Sequence, residues 1–152
     1  DFFTPVKHQT PPEQSGGVFC VPLSRKDPMS QSEPRRSVIA ILPVNDLAQA
    51  EQFFAVLGFS SRDGSSAEYR LLETADGEEL HLTQAVPGWV EAGRNPFGLY
   101  FRRPDVDALA QAFAGRVLEK EGPSVRPWGM YEFAVNGPDC VLVRIGWPVR
   151  KG

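Results

Sequence analysis

The chain has 152 residues, of which 41% are hydrophobic and 23% charged, and its net charge at pH 7 is −3. This length suits one domain, or two small modules that share a core, and it excludes a large second domain. No apolar run approaches the ~20 residues that span a bilayer, and no basic stripe with interleaved aromatic residues indicates nucleic-acid binding. The distant cysteines, Cys20 and Cys140, lack zinc-motif spacing and favour no disulfide, so we predict a soluble, cytoplasmic protein.

Residues 1–36 are rich in proline and show no sustained period of 2 or 3.6, which predicts an irregular N-terminal arm or leader. His8 lies in this arm and is expected to be solvated. Met29 followed by Ser30 and Gln31 resembles a native start, so residues 1–28 are a candidate non-native leader. The intact mass of the protein made in its own host tests that hypothesis.

Residues 37–83 show patterns that predict the element order β-α-β-β-β. Asp46 is placed to cap a helix, with Gln49 at the spacing of a capping box, and Gly58 suits the end of that helix. Apolar residues recur at helical spacing between them: Leu47, Ala50, Phe53, Phe54 and Leu57. Strands are predicted at 37–44, 59–62, 67–74 and 79–83. Asp63-Gly64 and Asp76-Gly77 are the turns between the last three strands.

After a loop at 85–96 that carries Trp89, the same order repeats. A strand is predicted at 97–102, a helix begins at Pro104-Asp105 and stops at Gly115, and 116–126 contains one weak strand. A hairpin follows, with strands at 130–135 and 141–145 joined by a turn at 136–139. This internal repeat of about fifty to sixty residues predicts an α+β protein built from two modules.

Five motifs occur in a fixed order along residues 37–147. They are Leu42-Pro43-Val44-x-Asp46, Phe53-Phe54-x-x-Leu57-Gly58-Phe59, Glu79-Leu80-His81-Leu82, Asp105-Val106-Asp107-Ala108-Leu109, and Pro127-Trp128-Gly129 followed by Glu132-Phe133-Ala134-Val135. Together they resemble the vicinal oxygen chelate superfamily of glyoxalase I, bleomycin-resistance proteins and extradiol dioxygenases, closest to the bleomycin-resistance-like branch. The resemblance implies a domain at 37–150 with two βαβββ modules, about 37–84 and 97–147. It also implies a cupped mixed sheet, commonly completed by a second subunit, so we expect a homodimer.

The hairpin turn departs from the pattern of that family, which usually reads Asp-Pro-x-Gly. Here the four positions read Gly137-Pro138-Asp139-Cys140, so glycine stands first and not last. A turn that needs a positive φ at its last residue strains Cys140 by roughly 1 kcal/mol or more. We therefore expect either a different turn type or a strain that other contacts offset.

Metal-using members of the superfamily take their ligands from the first and last strand of each module. By this resemblance the four ligand positions are Ile39, His81, Gly98 and Arg144. Ile39 and Gly98 have no ligand atom, and Arg144 is a permanent cation. One histidine does not make a catalytic site that needs about three protein ligands. We therefore predict no metal and no other cofactor.

Three polar residues of the predicted strands each have two interpretations. His81 is either a histidine bonded to a neighbour on a half-buried strand, or a ligand contact or general base on the wall of the cup. Arg144 and Glu132 lie on adjacent strands at positions that can share a face, so Arg144 either pairs with Glu132 or contacts an anionic ligand. Glu132 itself matches a family motif and either stabilises the sheet or takes part in the site.

Trp128 is the main aromatic candidate for ligand binding. It lies in a Pro-Trp-Gly loop that no periodic core pattern explains. Family members place the matching tryptophan at the mouth of the binding crevice, where an indole can stack on flat or cationic groups. The alternative is that Trp128 only closes the base of the hairpin. Tyr100 and Trp89 are weaker candidates for the same crevice.

The sequence is compatible with three functions. The resemblance favours a metal-independent binding protein of bleomycin-resistance type that sequesters a bulky aromatic or cationic compound and catalyses nothing. The second is a metal-free lyase or isomerase-type enzyme that acts on a small carbonyl or epoxide-like substrate, with His81 or Glu132 as the proton carrier. The third is a regulatory or partner-binding module, which requires an exposed apolar patch and no enclosed pocket.

Overall fold

The computed structural model describes residues 37–149, so the predictions for the arm at 1–36, the start at Met29 and any pairing of Cys20 lie outside the described residues. The described part contains two copies of the order β-α-β-β-β. The elements are β1 (Ile41–Val44), α1 (Leu47–Ala55), β2 (Ser60–Ser61), β3 (Tyr69–Glu73), β4 (Glu79–Gln84), β5 (Gly98–Arg102), α2 (Val106–Ala112), β6 (Ser124–Val125), β7 (Met130–Asn136) and β8 (Leu142–Pro148).

Each module forms its own four-stranded mixed sheet. The strand order is β1-β4-β3-β2 in the first sheet and β5-β8-β7-β6 in the second. In each sheet the first pair is parallel and the other pairs are antiparallel. The prediction of an α+β fold with two βαβββ modules is therefore confirmed, and within residues 37–149 the two sheets share no strand pairing.

Several strands are shorter than the sequence predicted. The strand expected at 37–44 begins at Ile41, where pairing with β4 begins, and the one expected at 59–62 is only β2. The weak strand expected within 116–126 is β6, preceded by an isolated bridge between Val117 and Val135. These are edge segments, whose pairing with one neighbour is set by the partner strand more than by their own residue pattern.

Helix α1 begins and ends as predicted. The backbone N–H of Gln49 donates to the Asp46 carboxylate at 2.9 Å, and Gly58 follows the helix with a φ of +90°. The buried residues of α1 are Leu47, Ala50, Phe53 and Phe54. Within residues 37–149 neither helix, of nine and seven residues, has the length and apolar content to cross a membrane.

The two modules share one core through contacts between aromatic rings. The ring centroids of Phe53 on α1 and Phe113 after α2 lie 5.2 Å apart, and Phe101 on β5 lies 5.8 Å from Phe59 and 6.4 Å from Phe54. Leucines of β4 and apolar residues of β8 belong to the same buried cluster: Leu80, Leu82, Val143 and Ile145. Each sheet therefore has an inner face in this core and an outer face that points away from it.

The turn between β7 and β8 has the strain that its sequence predicts. Cys140 has a φ of +59° and Asp139 a φ of +50°, both in the left-handed region. The glycine stands first because a Cβ at Gly137 would lie 2.7 Å from the Val141 side chain. The backbone N–H and the side-chain amide of Asn45 donate to the Asp139 carboxylate at 2.7 and 2.9 Å. These bonds from the first module hold the strained turn in place.

Replacing Cys140 by glycine should stabilise the protein. Relief of about 1–2 kcal/mol of left-handed strain exceeds the ~0.5–1 kcal/mol lost because a glycine is more flexible in the unfolded chain. We expect the free energy of unfolding in urea to rise by up to about 1 kcal/mol in Cys140→Gly. Gly137→Ala is the matched control and should destabilise, since its new methyl group meets Val141. A loss of stability in Cys140→Gly would show that the turn is not strained.

Candidate functional site

A buried carboxylate, that of Glu132, lies at the centre of the outer face of the second sheet. Glu132 stands on β7 and is 0% exposed. Its cross-strand partner is Gly146 on β8. A Cβ at Gly146 would lie 2.5 Å from the Tyr100 hydroxyl and 2.6 Å from the Glu132 Cβ. Only glycine at this position allows Tyr100 to reach across β8 to Glu132.

Three side chains donate hydrogen bonds to this carboxylate. The Tyr100 hydroxyl donates to Oε2 at 2.6 Å, the Trp128 indole Nε1 donates to the same oxygen at 3.3 Å, and Arg144 Nη1 donates to Oε1 at 3.0 Å. The predicted pairing of Arg144 with Glu132 is thus present. We call Tyr100, Trp128, Glu132 and Arg144 the Glu132 cluster.

A second ion pair, which the sequence analysis missed, flanks the cluster. Arg126 Nε lies 3.8 Å from Glu132 Oε1, and Arg126 Nη2 donates to Glu119. The other oxygen of Glu119 accepts the backbone N–H of Ala134 at 2.8 Å. Glu119 and Arg126 lie in the weakly patterned stretch at 116–126, where no periodicity indicates which side chains turn inward. Their opposite charges within one short irregular segment were the only available signal.

The environment of Tyr100 keeps its phenol protonated. Burial, and then the hydrogen bond and negative charge of Glu132, raise the pKa of Tyr100 from 10.0 to about 12, against smaller opposite effects of Arg102 and Arg144. A protonated phenol is a hydrogen-bond donor, so the Tyr100 contact to Glu132 persists across physiological pH. Nearly half of Tyr100 remains exposed, which leaves one side of its ring accessible from the outer face.

The other two predicted site residues lie elsewhere. His81 is on β4 of the first sheet, where its Nδ1 and the Tyr69 hydroxyl share a hydrogen bond of 2.8 Å. Its buried Nε2 has no hydrogen-bond partner among residues 37–149 and lies 4.0 Å from Glu79. Trp89, which is 79% exposed, lies in the loop between the modules. The structure therefore brings four of the six predicted residues together.

The four family metal positions are divided between the two sheets. His81 points from the outer face of the first sheet, and Ile39 precedes β1 of that sheet. Gly98 and Arg144 belong to β5 and β8 of the second sheet, and Arg144 is bonded to Glu132. Within residues 37–149 no group of three or more His, Cys, Asp or Glu side chains is placed to hold a metal ion.

A concave groove of about 520 Å³ lies away from the Glu132 cluster. It is lined by Gln49, Gln52, Phe53, Arg116, Gly137 and Pro138. The Arg116 guanidinium lies over the rings of Phe53 and Phe113, 5.0 and 5.7 Å from their centroids. These cation–π contacts explain why an arginine lies in this groove without a ligand. We place the candidate site at the Glu132 cluster, because there several polar groups and an exposed aromatic ring converge.

The chain matches no family model and no curated protein, but it is similar to solved structures. A bleomycin resistance determinant encoded on the transposon Tn5 shares 21% identity and a TM-score of 0.62, over 75% of this chain and 98% of that one. A bleomycin-binding protein solved in complex with bleomycin shares 21% identity and a TM-score of 0.60, over 74% and 98%. A possible glyoxalase from Bacillus cereus shares 21% identity and a TM-score of 0.52, over 71% and 95%.

Likeness at this level of identity establishes the fold and leaves the ligand open. The strand order, the two modules and these structural neighbours agree with the motifs along residues 37–147. The chain therefore has the fold of these bleomycin-resistance and glyoxalase-like structures, as the motifs predicted.

Proposed function

We propose that this protein binds and sequesters a bulky aromatic small molecule at the Glu132 cluster, without a metal and without converting it. The observation that carries this proposal is the state of Trp128. Trp128 is 63% exposed, yet its indole N–H donates a hydrogen bond to a fully buried carboxylate. An exposed tryptophan is ordinarily free to change rotamer. Here the buried anchor supports a fixed aromatic surface that faces outward.

A fixed indole suits stacking on a flat ligand. Aromatic stacking contributes about 0.5–1.5 kcal/mol beyond burial of area, and a side chain that is already ordered loses less entropy when the ligand binds. The half-exposed ring of Tyr100 adjoins the same carboxylate and extends the aromatic surface. The solved complex of a bleomycin-binding protein with bleomycin gives a precedent for ligand binding on this fold.

The contacts of Glu132 favour binding over acid–base catalysis. Both of its oxygens accept hydrogen bonds, and the residue is shielded from solvent. A general base needs a free oxygen within hydrogen-bond reach of the proton that it removes. His81, the other candidate proton carrier, stands on the first sheet with its Nδ1 bonded to Tyr69. These contacts support sequestration as the function of the site.

We also propose that two copies pair to complete the crevice. In one chain the two outer faces point away from a shared core, so each face is one wall of a cup without the opposite wall. Strands β1 and β5 are at sheet edges, and Ile41 on β1 is largely exposed. A second copy would supply the missing wall and cover these apolar edges.

Removing the indole should weaken binding of aromatic compounds. In a thermal-shift screen of bleomycin and aromatic metabolites, a compound at a hundred times its dissociation constant adds about 2.7 kcal/mol of stability. We expect Trp128→Ala to weaken the affinity of such a compound about 5–10-fold by isothermal titration calorimetry, and Trp128→Phe to weaken it less. Trp89→Ala is the matched control, because that indole is also exposed but lies apart from the cluster. An equal loss in both alanine variants would refute the assignment to Trp128.

The raised pKa of Tyr100 makes the stability of the protein depend on pH in the alkaline range. Its folded pKa of about 12 exceeds the unfolded value of 10.0, so the unfolded chain releases this proton first. The stabilisation that the phenol contributes is therefore present below pH 10 and is lost between pH 10 and about 12. We expect ultraviolet titration to assign a late tyrosinate signal to Tyr100, identified by its absence in Tyr100→Phe. In Glu132→Gln the signal should move to lower pH; an unchanged signal would show that Glu132 does not act on the phenol.

The pairing of two copies is tested by sedimentation equilibrium. We expect the protein to sediment as a dimer at micromolar concentration, and Ile41→Arg to shift it toward the monomer, because the new charge would enter an apolar contact. Val86→Arg is the control, since Val86 is similarly exposed but lies in the loop between the modules. A native protein that sediments as a monomer would contradict the pairing.

A further inference from the structure

The charges that a ligand meets at the Glu132 cluster are positive. Glu132 is 0% exposed, whereas 37% of the Arg144 side chain is accessible. Arg102 lies two residues after Tyr100 on β5, so both side chains point to the same outer face. Arg102 is exposed there and pairs in register with Gly146. Glu119 and Arg126 are partly buried and pair with each other. The acidic groups are thus covered or paired, and the accessible charged groups are guanidinium groups.

The donor capacity of Arg144 is only partly used inside the protein. A guanidinium has five N–H donors in a planar fork. Arg144 uses Nη1 for Glu132, and among residues 37–149 its Nε and Nη2 have no hydrogen-bond partner. Arg102 makes no ion pair within the same range, and the charges of both arginines act on Tyr100. Arg144 therefore shares the Glu132 carboxylate with Trp128, and Arg102 adds a second cationic group near Tyr100 on the same face.

We propose, on the basis of the binding function above, that the ligand is an acidic aromatic compound. Its ring stacks on Trp128, and its carboxylate or similar anionic group accepts hydrogen bonds from Arg144 and Arg102. The planar guanidinium of Arg144 matches the two oxygens of a carboxylate, and charge-assisted hydrogen bonds of this kind are about twice as strong as neutral ones. Glu132 does not repel such an anion strongly, because Arg144 and Arg126 lie against it.

The charge balance of the region agrees with this ligand class. Three arginines and two glutamates at and around the cluster together carry a net charge of +1: Arg102, Arg126, Arg144, Glu119 and Glu132. The acidic groups on the outer face of the first sheet, Glu73 and Glu79, lie 3.4 and 3.3 Å from Arg62. If a second copy contributes its first sheet as the opposite wall, the carboxylates that it brings near the ligand are already paired with Arg62.

The test compares three naphthyl probes of one shape and different charge. They are naphthoate, naphthylmethanol and naphthylmethylammonium, titrated into the full chain by calorimetry at low ionic strength. We expect naphthoate to bind about tenfold more tightly than naphthylmethanol, and naphthylmethylammonium to bind most weakly. The preference should shrink as salt is added, because exposed charges are screened. The neutral probe reports stacking alone.

Two arginine variants locate the anion site. Arg102→Gln should weaken naphthoate about 3–10-fold and leave naphthylmethanol unchanged, with Arg144→Gln showing a similar or larger loss. Arg102 lies outside the hydrogen bonds of Glu132, so Arg102→Gln tests the proposal even where Arg144→Gln destabilises the fold. Arg94→Gln is the matched control, because that side chain is 82% exposed and lies in the loop between the modules.

The outcomes separate the ligand class from the binding function. If no probe binds, both proposals fail. If all three bind with equal affinity and Trp128→Ala weakens them all, the aromatic site stands and the acidic ligand class is wrong. If naphthylmethylammonium binds most tightly, the proposal of an acidic ligand is also wrong. That result would mean that the charge of Glu132 affects the ligand more than the charges of the arginines.

Discussion

Contact between the aromatic residues of the two modules determines which face of each sheet is buried and which faces outward. Phe53 packs on Phe113, and Phe54 and Phe59 pack on Phe101, so the rings of both modules lie in one shared core. This arrangement turns the apolar face of each sheet inward. Polar and aromatic residues at the alternate strand positions must then face outward, and the Glu132 cluster is one such set. The location of the candidate site follows from the packing of the core.

The buried charge of Glu132 needs every contact that surrounds it. A carboxylate removed from water is costly unless it is paired and hydrogen-bonded, and removing one partner of a buried ion pair costs about 3–5 kcal/mol. Arg144 supplies the charge, while Tyr100 and Trp128 supply two further donors. An apolar residue at position 132 would avoid this desolvation cost. It would also leave the indole N–H without its partner, so the carboxylate is better explained as a group that orders Trp128 than as a source of stability.

Local signals in the sequence were sufficient for the order of the elements. Asp46 and Gly58 mark the ends of α1, and the glycines of the two Asp-Gly turns, Gly64 and Gly77, have positive φ. The pairing of Glu132 with Arg144 was also predictable, because residues of adjacent strands that share a face alternate along the chain. The separation of His81 from Trp128 could not be predicted from the sequence. It depends on contacts between aromatic rings such as those of Phe53 and Phe113, which are sixty positions apart. No local pattern encodes such a contact.

The hairpin turn shows how one displaced glycine is accommodated by residues distant in sequence. Close contact with Val141 requires glycine at position 137, so Asp139 and Cys140 take the left-handed conformations that glycine would otherwise adopt. Aspartate tolerates this conformation better than most residues, and its carboxylate here accepts two bonds from Asn45 at the start of the first module. The Asn95 side chain, in the loop between the modules, donates to the backbone carbonyl of Asp139 at 3.1 Å. The turn thus joins the β7–β8 hairpin to the first module, and these bonds offset a strain that an isolated hairpin would relax.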